Sequence, residues 1–342
     1  MKKSMILVAV AIMAVVFALP AFSAISTPIV RLNLTKNYVI TQEQLDQKLA
    51  EYKEVYGEDV DAATVLDAMV SDQLLAQAME RDGFVLTDDQ KNELLAAQKS
   101  NIEQQVGQSL TDEQFATLIA QNYEVDLEYY KEYLSQQYLV QNYVMNNKSE
   151  MFADDKIAPT TAEVESFYKK NKSSFIAPEN VKLAHIYIKF GEDKDAALKK
   201  ATDIANQIKS GKITFEKAVS TYSEDTDSIS SGGDIGWLSI SDTNTMSYMG
   251  ENFFDKVFEL DAGDVSGVIE SLAGYHIVKV SVHNQPKFLE LDDKTSPTET
   301  TTVRDYITSY LAQENANTVY QQAFMSLIAD LKAQASIKYL TN

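Results

Sequence analysis

The chain has 342 residues, of which 45% are hydrophobic and 23% are charged, so its length suggests about two domains with real cores. It contains no cysteine, which excludes disulfides, thiolate nucleophiles and Cys-ligated metals. Its formal net charge of -20 argues against nucleic acid and anionic lipid as partners, because phosphate binding requires clustered Lys and Arg.

The first residues are typical of a secretory signal peptide. Two lysines follow Met1, and an uncharged apolar run then extends from Met5 to Leu19. Small residues allow cleavage after Ser23 or Ala24, so we predict a signal peptide over residues 1–24. The alternative is a retained membrane anchor, but the run is shorter than the roughly 20 residues of a spanning helix. No cysteine follows, so a soluble periplasmic protein without a lipid or other stable membrane anchor is expected.

The residues after this segment are typical of a helical module. Alternation over residues 29–34 predicts a short strand. Thr41 stands three residues before Gln44, a capping-box pattern that begins a helix. Apolar residues at helical spacing predict further helices over 62–81, 88–106, 112–122, 127–146 and 161–171, the last capped by Thr161.

The pattern changes after residue 176. The predicted elements are a strand (181–190), two helices (195–210 and 215–222), a strand near the glycines at 232–236, a helix (252–259) and two strands (265–270 and 275–282). This β-α-α-β-α-β-β order is typical of an α+β domain on an antiparallel-rich sheet.

The last part of the chain predicts one long helix. Residues 291–302 are polar around Pro297 and are interpreted as a linker. A helical pattern with a long apolar face follows over 303–335. An isolated helix with such a face would not stay exposed, so it must pack on a partner, and the N-terminal helices are available.

The chain has three histidines, His185, His276 and His283, and the first two lie in the middle of predicted strands. Two strand histidines in one small domain can face each other across a sheet. On spacing alone, an ordinary hydrogen-bonded core histidine is the commoner outcome, so both interpretations stay open at this point.

Five short blocks surround these histidines in one order. They are HI at 185–186, YSED at 222–225, GGDIGW at 232–237, Phe253 and Phe258 with GDVS at 263–266, and GYHI at 274–277. In this order they resemble the parvulin rotamase family over residues 177–287. Each block alone is a weak signal, but together they are highly specific.

The resemblance implies a parvulin fold, peptidyl-prolyl cis/trans isomerase activity and a set of site residues. His185 and His276 match the family's histidine pair at the floor of the site. Asp225 stands where parvulins carry Cys or Asp beside the substrate imide. The apolar positions that hold the proline ring are matched by Ile235, Met249 and Phe253.

This chain departs from the family pattern at several positions. Ala273 stands where many parvulins carry a hydroxyl residue, and Asn252 replaces a common Pro. The loop over 239–248 is longer than in the family, which bears on the assignment of Met249. Residues 191–195 lack a basic cluster, so selectivity for phosphorylated Ser or Thr before proline is not expected.

The residues by themselves also permit plainer explanations. Met249 and Phe253 fit ordinary core positions, and Asp225 fits a turn residue or a helix cap. Only the order of the five blocks favours a functional assignment over these alternatives.

Both ends of the chain resemble SurA-type periplasmic chaperones and the similar PrsA foldases. The matching segments are ITQEQLD at 40–46, VLDAMVSDQLL at 65–75 and RDGFVLTD at 81–88. The resemblance implies an all-α chaperone module over 25–175, a parvulin domain inserted over 176–290, and a C-terminal helix over 303–342 that completes the module. It also implies a groove lined by Tyr and Met that holds unfolded chains, although most such side chains are interior to any helical bundle.

The combined expectation is an exported isomerase and folding chaperone that acts on X-Pro bonds of unfolded or newly exported polypeptides. No covalent bond breaks in this reaction, so neither a metal nor a cofactor is expected. Two alternatives remain: a holdase chaperone with a catalytically weak or inactive parvulin domain, and a scaffold that is not a chaperone.

Overall fold

The computed structural model describes residues 27–340, and the predicted signal peptide lies outside them. The helices are α1 (Gln42–Tyr56), α2 (Ala62–Arg81), α3 (Asp88–Val106), α4 (Asp112–Tyr123), α5 (Leu127–Asn147), α6 (Asp154–Ile157), α7 (Thr161–Lys170), α8 (Lys194–Lys209), α9 (Phe215–Tyr222), α10 (Thr243–Met249), α11 (Glu251–Phe258) and α12 (Val303–Gln334). The strands are β1 (Pro28–Asn33), β2 (Asn37–Thr41), β3 (Ile176–Ala177), β4 (Asn180–Lys189), β5 (Asp234–Ser239), β6 (Ile269–Glu270), β7 (Gly274–Asn284), β8 (Lys287–Phe288) and β9 (Ser336–Tyr339). Within residues 27–340 no helix is both long enough and apolar enough to cross a membrane.

Helices α1, α3, α4 and α7 begin with a reciprocal capping box. In each, a Thr hydroxyl accepts the N–H of the third helical residue, whose side chain accepts the Thr N–H in return. For α7 the cap is Thr160, and the prediction of Thr161 was wrong. Thr160 stands three residues before Glu163, whose carboxylate accepts the Thr160 N–H at 2.7 Å.

The described chain divides into two compact units. One unit contains residues 159–311, and the other contains residues 27–158 together with 312–340. The domain limits predicted from the sequence differ from these, at 175/176, 290/291 and 302/303. The two compact units do not test those limits, so the predicted domains stay a prediction.

In the unit formed by residues 27–158 and 312–340, the N-terminal and C-terminal segments share one sheet and one core. β1 is the middle strand of the antiparallel sheet β2-β1-β9, with Val30 opposite both Ile40 and Tyr339. The core takes side chains from β1, α2, α5 and α12: Val30, Leu32, Val70, Leu74, Val140, Tyr143, Ala323, Leu327 and Leu331. The apolar face of α12 after residue 311 is therefore buried in this core, as its pattern predicted. The start of the helix packs instead within the unit of residues 159–311, where Val303 and Ile307 are buried and Tyr306 is 52% exposed.

The unit formed by residues 159–311 is built on a four-stranded antiparallel sheet with the order β5-β4-β7-β6. One face packs against α8 and α9 through Ile186, Ile188 and Ile277. The other face packs against α10 and α11 through Leu183 and Val278. Successive strand side chains point to opposite faces, so each of β4 and β7 supplies both layers.

The predicted β-α-α-β-α-β-β order is confirmed over residues 180–284, with one additional helix, α10. The strand predicted over 265–270 is limited to β6, and the short strands β3 and β8 lie on either side of this order. Asp242 caps α10 by accepting the N–H groups of Asn244 and Thr245. The run TNTMSYM contains few strong helix formers, which explains why its spacing did not indicate a helix. α10 ends at Met249 and so positions one of the predicted site residues.

His283, near the end of β7, joins three segments of this unit. Its Nδ1 donates to the Leu260 carbonyl at 2.6 Å, and its Nε2 donates to the Glu179 carboxylate at 2.7 Å. Both acceptors lack a proton to donate, so together they favour the imidazolium form, which carries a proton on each ring nitrogen. The side-chain nitrogen of Gln285 also lies 3.3 Å from His283 Nε2. Burial lowers the pKa of His283, but the hydrogen bonds to Glu179 and Leu260 outweigh it and raise this pKa above its ordinary value.

We expect His283 to stabilise the fold fully below about pH 6.5, the ordinary histidine pKa, because a pKa raised on folding favours the protonated state. This contribution is lost as the pH rises through the raised folded-state pKa. The thermal midpoint of the wild type should therefore fall more between about pH 6 and pH 9 than that of His283→Gln. An equal pH dependence of the two proteins, measured by circular dichroism, would contradict a charged ring.

Candidate active site

β4 and β7 bring the two predicted histidines together. In their antiparallel register, Tyr187 lies opposite His276 and His185 lies opposite Val278. His185 and His276 therefore share one face of the sheet, and their Nδ1 atoms are 3.2 Å apart. Both side chains are buried, with His185 7% exposed and His276 2% exposed.

The two imidazoles form the middle of a hydrogen-bonded chain. His185 Nε2 is 2.8 Å from Asp225 Oδ2, and His276 Nε2 is 2.9 Å from Ser271 Oγ. An ionised carboxylate only accepts, so His185 Nε2 donates to Asp225 and His185 Nδ1 accepts. His276 Nδ1 consequently donates to His185, and His276 Nε2 accepts from the Ser271 hydroxyl. Each neutral ring thus has one donor and one acceptor nitrogen.

The surroundings keep both rings neutral. Burial lowers the pKa of His276 to about 3, and the neighbouring His185 is the second cause. Burial also lowers the pKa of His185, although Asp225 opposes this. Burial raises the pKa of Asp225, but hydrogen bonds from Ser228 and His185 outweigh it and hold this pKa below its ordinary value. Near neutral pH the site therefore contains one carboxylate and two neutral imidazoles.

Asp225 lies in the loop after α9, where two serines position it. Ser223 follows the end of α9, and its Oγ accepts the N–H groups of Tyr187 and Asp225. The buried Ser228 donates its hydroxyl to Asp225 Oδ2. Ser223 is the C-terminal cap of α9. Asp225 therefore does not cap this helix, which was one of the roles that the sequence allowed for it.

Phe253 forms an apolar side of the histidine pair, and Met249 shares a core cluster with Phe253. Phe253 is 1% exposed and meets His276 edge to face, with ring centroids 5.0 Å apart and an interplanar angle of 66°. Met249 is buried in the same core cluster. Ile235, on β5, is not part of this cluster and has 39% of its surface exposed. Among residues 27–340 no three His, Cys, Asp or Glu side chains are grouped to hold a metal ion.

Ser271 is a site residue that the sequence analysis missed. The expected hydroxyl was sought at position 273, where this chain has Ala273. Ser271, two residues earlier, supplies it: its Oγ accepts the N–H groups of Ala273 and Gly274, both at 3.1 Å. The Ser271 hydroxyl has two acceptors within reach, His276 Nε2 at 2.9 Å and the Gly274 carbonyl at 3.1 Å, and the contact with His276 is the shorter. The serine at position 271, shortly before GYHI, was the sequence signal that could have indicated this hydroxyl.

Gly233 lets the loop before β5 lie directly against His185. Its carbonyl accepts the His185 N–H at 2.8 Å. A Cβ at position 233 would collide with the His185 carbonyl oxygen, and φ is 84° there. Gly232 has a similar φ of 72°, but open space surrounds its Cβ position. The second glycine of GGDIGW is therefore required by close approach, and the first only by backbone conformation.

Residues 185–282 match the rotamase family model, which is described as a PPIC-type PPIase domain. This segment is a PPIC-type rotamase domain. The match begins at His185 and extends past His276, so it includes the whole hydrogen-bonded chain from Asp225 to Ser271.

Relatives of the chain carry chaperone, foldase and isomerase names. Chaperone SurA of Nitrosococcus oceani is 30% identical over 221 residues, which cover 63% of this chain and 47% of the relative. Foldase protein PrsA of Clostridium botulinum is 26% identical over 209 residues, covering 61% and 53%. A parvulin-like PPIase of Rickettsia bellii is 29% identical over 161 residues, covering 47% and 49%. The chain therefore spans about half the length of these curated relatives.

Two solved structures align with much of the chain. The match to a SurA-like chaperone of Campylobacter jejuni covers 68% of this chain and 97% of that chain, at 20% identity and a TM-score of 0.36. The match to PrsA from Bacillus anthracis covers 78% and 97%, at 17% identity and a TM-score of 0.29.

Substitutions of the two neighbouring glycines separate backbone strain from collision in the rotamase domain. We expect Gly232→Ala to cost about 1 kcal/mol of unfolding free energy, because an L-residue is strained at positive φ. Gly233→Ala carries the same strain plus the collision with His185, so we expect a further loss of about 1–3 kcal/mol. Urea unfolding of both variants measures the difference, and equal losses would contradict the close approach.

Proposed function

We propose that the rotamase domain catalyses cis/trans isomerisation of X-Pro peptide bonds. The observation that carries this proposal is the buried, neutral imidazole pair of His185 and His276 beside Phe253, which shares its core cluster with Met249. The pair lies inside the segment that matches a PPIase family model.

The reaction requires no covalent chemistry. Rotation about the X-Pro bond has a barrier of roughly 18–20 kcal/mol, because the C–N bond has partial double-bond character. An enzyme needs only to favour the twisted amide over the planar one. The planar amide is the more charge-separated form, so a dry apolar pocket disfavours it relative to the twisted form.

The proposed roles follow from this requirement. Met249 and Phe253, with Ile235 at the exposed edge, bind the proline ring and exclude water from the imide. His185 and His276 hold the floor of the pocket in one geometry through their hydrogen bonds. The Asp225 carboxylate interacts electrostatically with the carbonyl that rotates.

We further propose that the whole chain acts on unfolded or newly exported polypeptides. The names of its relatives, chaperone SurA and foldase PrsA, support this proposal. The unit formed by residues 27–158 and 312–340 also exposes large adaptable side chains, which suit the binding of varied chains. They include Tyr129, Tyr138, Met145 and Met325.

An exported, periplasmic location is part of the same proposal and rests on the sequence of residues 1–24. We expect the protein in the soluble periplasmic fraction, with an N-terminus created by cleavage after Ser23 or Ala24. Cell fractionation and mass spectrometry of the mature protein measure both features. Recovery of the uncleaved chain in the membrane fraction would favour a retained anchor.

Substitutions in the site should lower the isomerisation rate of a proline tetrapeptide. We expect Phe253→Ala and Asp225→Ala to lower kcat/KM by about tenfold or more, because each tenfold loss corresponds to only about 1.4 kcal/mol of transition-state stabilisation. Leu198→Ala, a surface change on α8, is the control and should leave kcat/KM unchanged. Circular dichroism checks that each variant is folded.

The holdase alternative predicts a different result for the wild type. If micromolar wild-type protein gives no rate above background but still suppresses aggregation of an unfolded test protein, the rotamase domain does not act as an isomerase. If Phe253→Ala loses the rate and keeps the suppression, the two activities are separate and both proposals stand. Suppression absent from every variant and from the wild type would favour a scaffold.

A further inference from the structure

We propose that Tyr187 is a positioning residue that holds both ends of the hydrogen-bonded chain from Asp225 to Ser271. This inference rests on the proposed isomerase function for its kinetic consequence. Tyr187 lies on β4, two residues after His185, and therefore on the same face of the sheet.

The backbone of Tyr187 holds the Asp225 end. Its N–H donates to Ser223 Oγ at 3.2 Å, and its carbonyl accepts the Glu224 N–H at 2.8 Å. These two bonds attach the segment that immediately precedes Asp225 to the strand that carries His185. The carboxylate is thereby placed for its contact with His185 Nε2.

The side chain of Tyr187 holds the Ser271 end. Its Oη donates to the Ala273 carbonyl at 2.8 Å, in the turn from Ser271 to Gly274. Ser271 Oγ accepts two N–H groups of that turn. Its hydroxyl lies 2.9 Å from His276 Nε2 and 3.1 Å from the Gly274 carbonyl of the same turn, so the turn sets the direction of the hydroxyl. A Cβ at Gly274 would approach the Tyr187 ring and the Ile188 carbonyl too closely, so glycine lets the ring lie on the turn.

The ring of Tyr187 also lies beside both imidazoles. It stacks on His276, with centroids 4.9 Å apart and an interplanar angle of 26°. It is nearly parallel to His185, at 6.0 Å and 16°. Phe253 meets His276 edge to face as well, so two aromatic rings hold this imidazole. Loss of the Tyr187 hydroxyl should therefore loosen the Ser271 turn and leave the stacking intact.

The test compares Tyr187→Phe, which removes only the hydroxyl, with Tyr187→Leu, which also removes the stacked ring. Tyr275→Phe is the matched control, because Tyr275 precedes His276 and packs in the layer on the other face of the sheet. The readouts are kcat and KM for a proline tetrapeptide and the ¹⁵N spectrum of the imidazoles. The chain has only three histidines, and the distant His283 serves as an internal reference.

For Tyr187→Phe we expect kcat to fall by about three- to tenfold, the effect of one lost hydrogen bond, with KM little changed. The His276 nitrogen signals should shift toward a mixture of tautomers, while the His185 signals move less because the Tyr187 backbone still holds the Asp225 segment. Tyr187→Leu should perturb both histidines. Tyr275→Phe should change neither spectrum nor rate.

Unchanged His276 signals and an unchanged kcat in Tyr187→Phe would overturn the inference. Equal perturbation by Tyr275→Phe would overturn it as well, since the effect would then be a general loss of packing. If the wild type has no isomerase activity, the proposed function fails, but the imidazole spectra still decide whether Tyr187 positions the chain.

Discussion

The ionised Asp225 carboxylate sets the direction of the hydrogen bonds that link His185 and His276. It can only accept, so His185 must donate to it, and His276 must then donate to His185. Ser271 is left to donate to His276 at the far end. Buried polar groups are costly when unpaired, and here each ring nitrogen has a partner. A single charge at the edge of the site thus determines the tautomers of two buried rings beside Phe253.

The fold places these groups by close backbone approach. Gly233 brings its loop against the His185 backbone, and Gly274 brings the Ser271 turn against Tyr187. β4 supplies His185 and Tyr187 to one face, while Ile186 and Ile188 pack against α8 and α9 on the other. The helical layer on the opposite face therefore supports the strand that carries the site. Substitutions there should act through stability and not through the chemistry.

The unit formed by residues 27–158 and 312–340 depends on the packing of its N-terminal and C-terminal segments against each other. Its core joins α2 and α5 to α12, so side chains distant in sequence complete one apolar interior. β9 pairs with β1 and adds backbone hydrogen bonds to the same association. Loss of the C-terminal segment would expose this core and leave β1 with one paired edge. The rotamase domain, in contrast, contains its own sheet and both of its helical layers.

The sequence by itself determined the elements with strong local signals: the capping box at Thr41, the limits of α2, α3 and α9, and the order of motifs that singled out His185, His276 and Asp225 as candidates. Tertiary structure alone decided the rest. β9 is four residues long with only Ile337 packed on the core, so no alternating pattern marked it. The contacts of Ser271 and Ser228 depend on the turns that contain them, and those of Tyr187 depend on segments distant in sequence that meet only in the folded chain. The exposure of Ile235 likewise depends on the edge position of β5. The periodicity of a sequence indicates which face of a helix or strand is apolar. The hydrogen-bond partners of a side chain are determined only when these elements pack together in the folded chain.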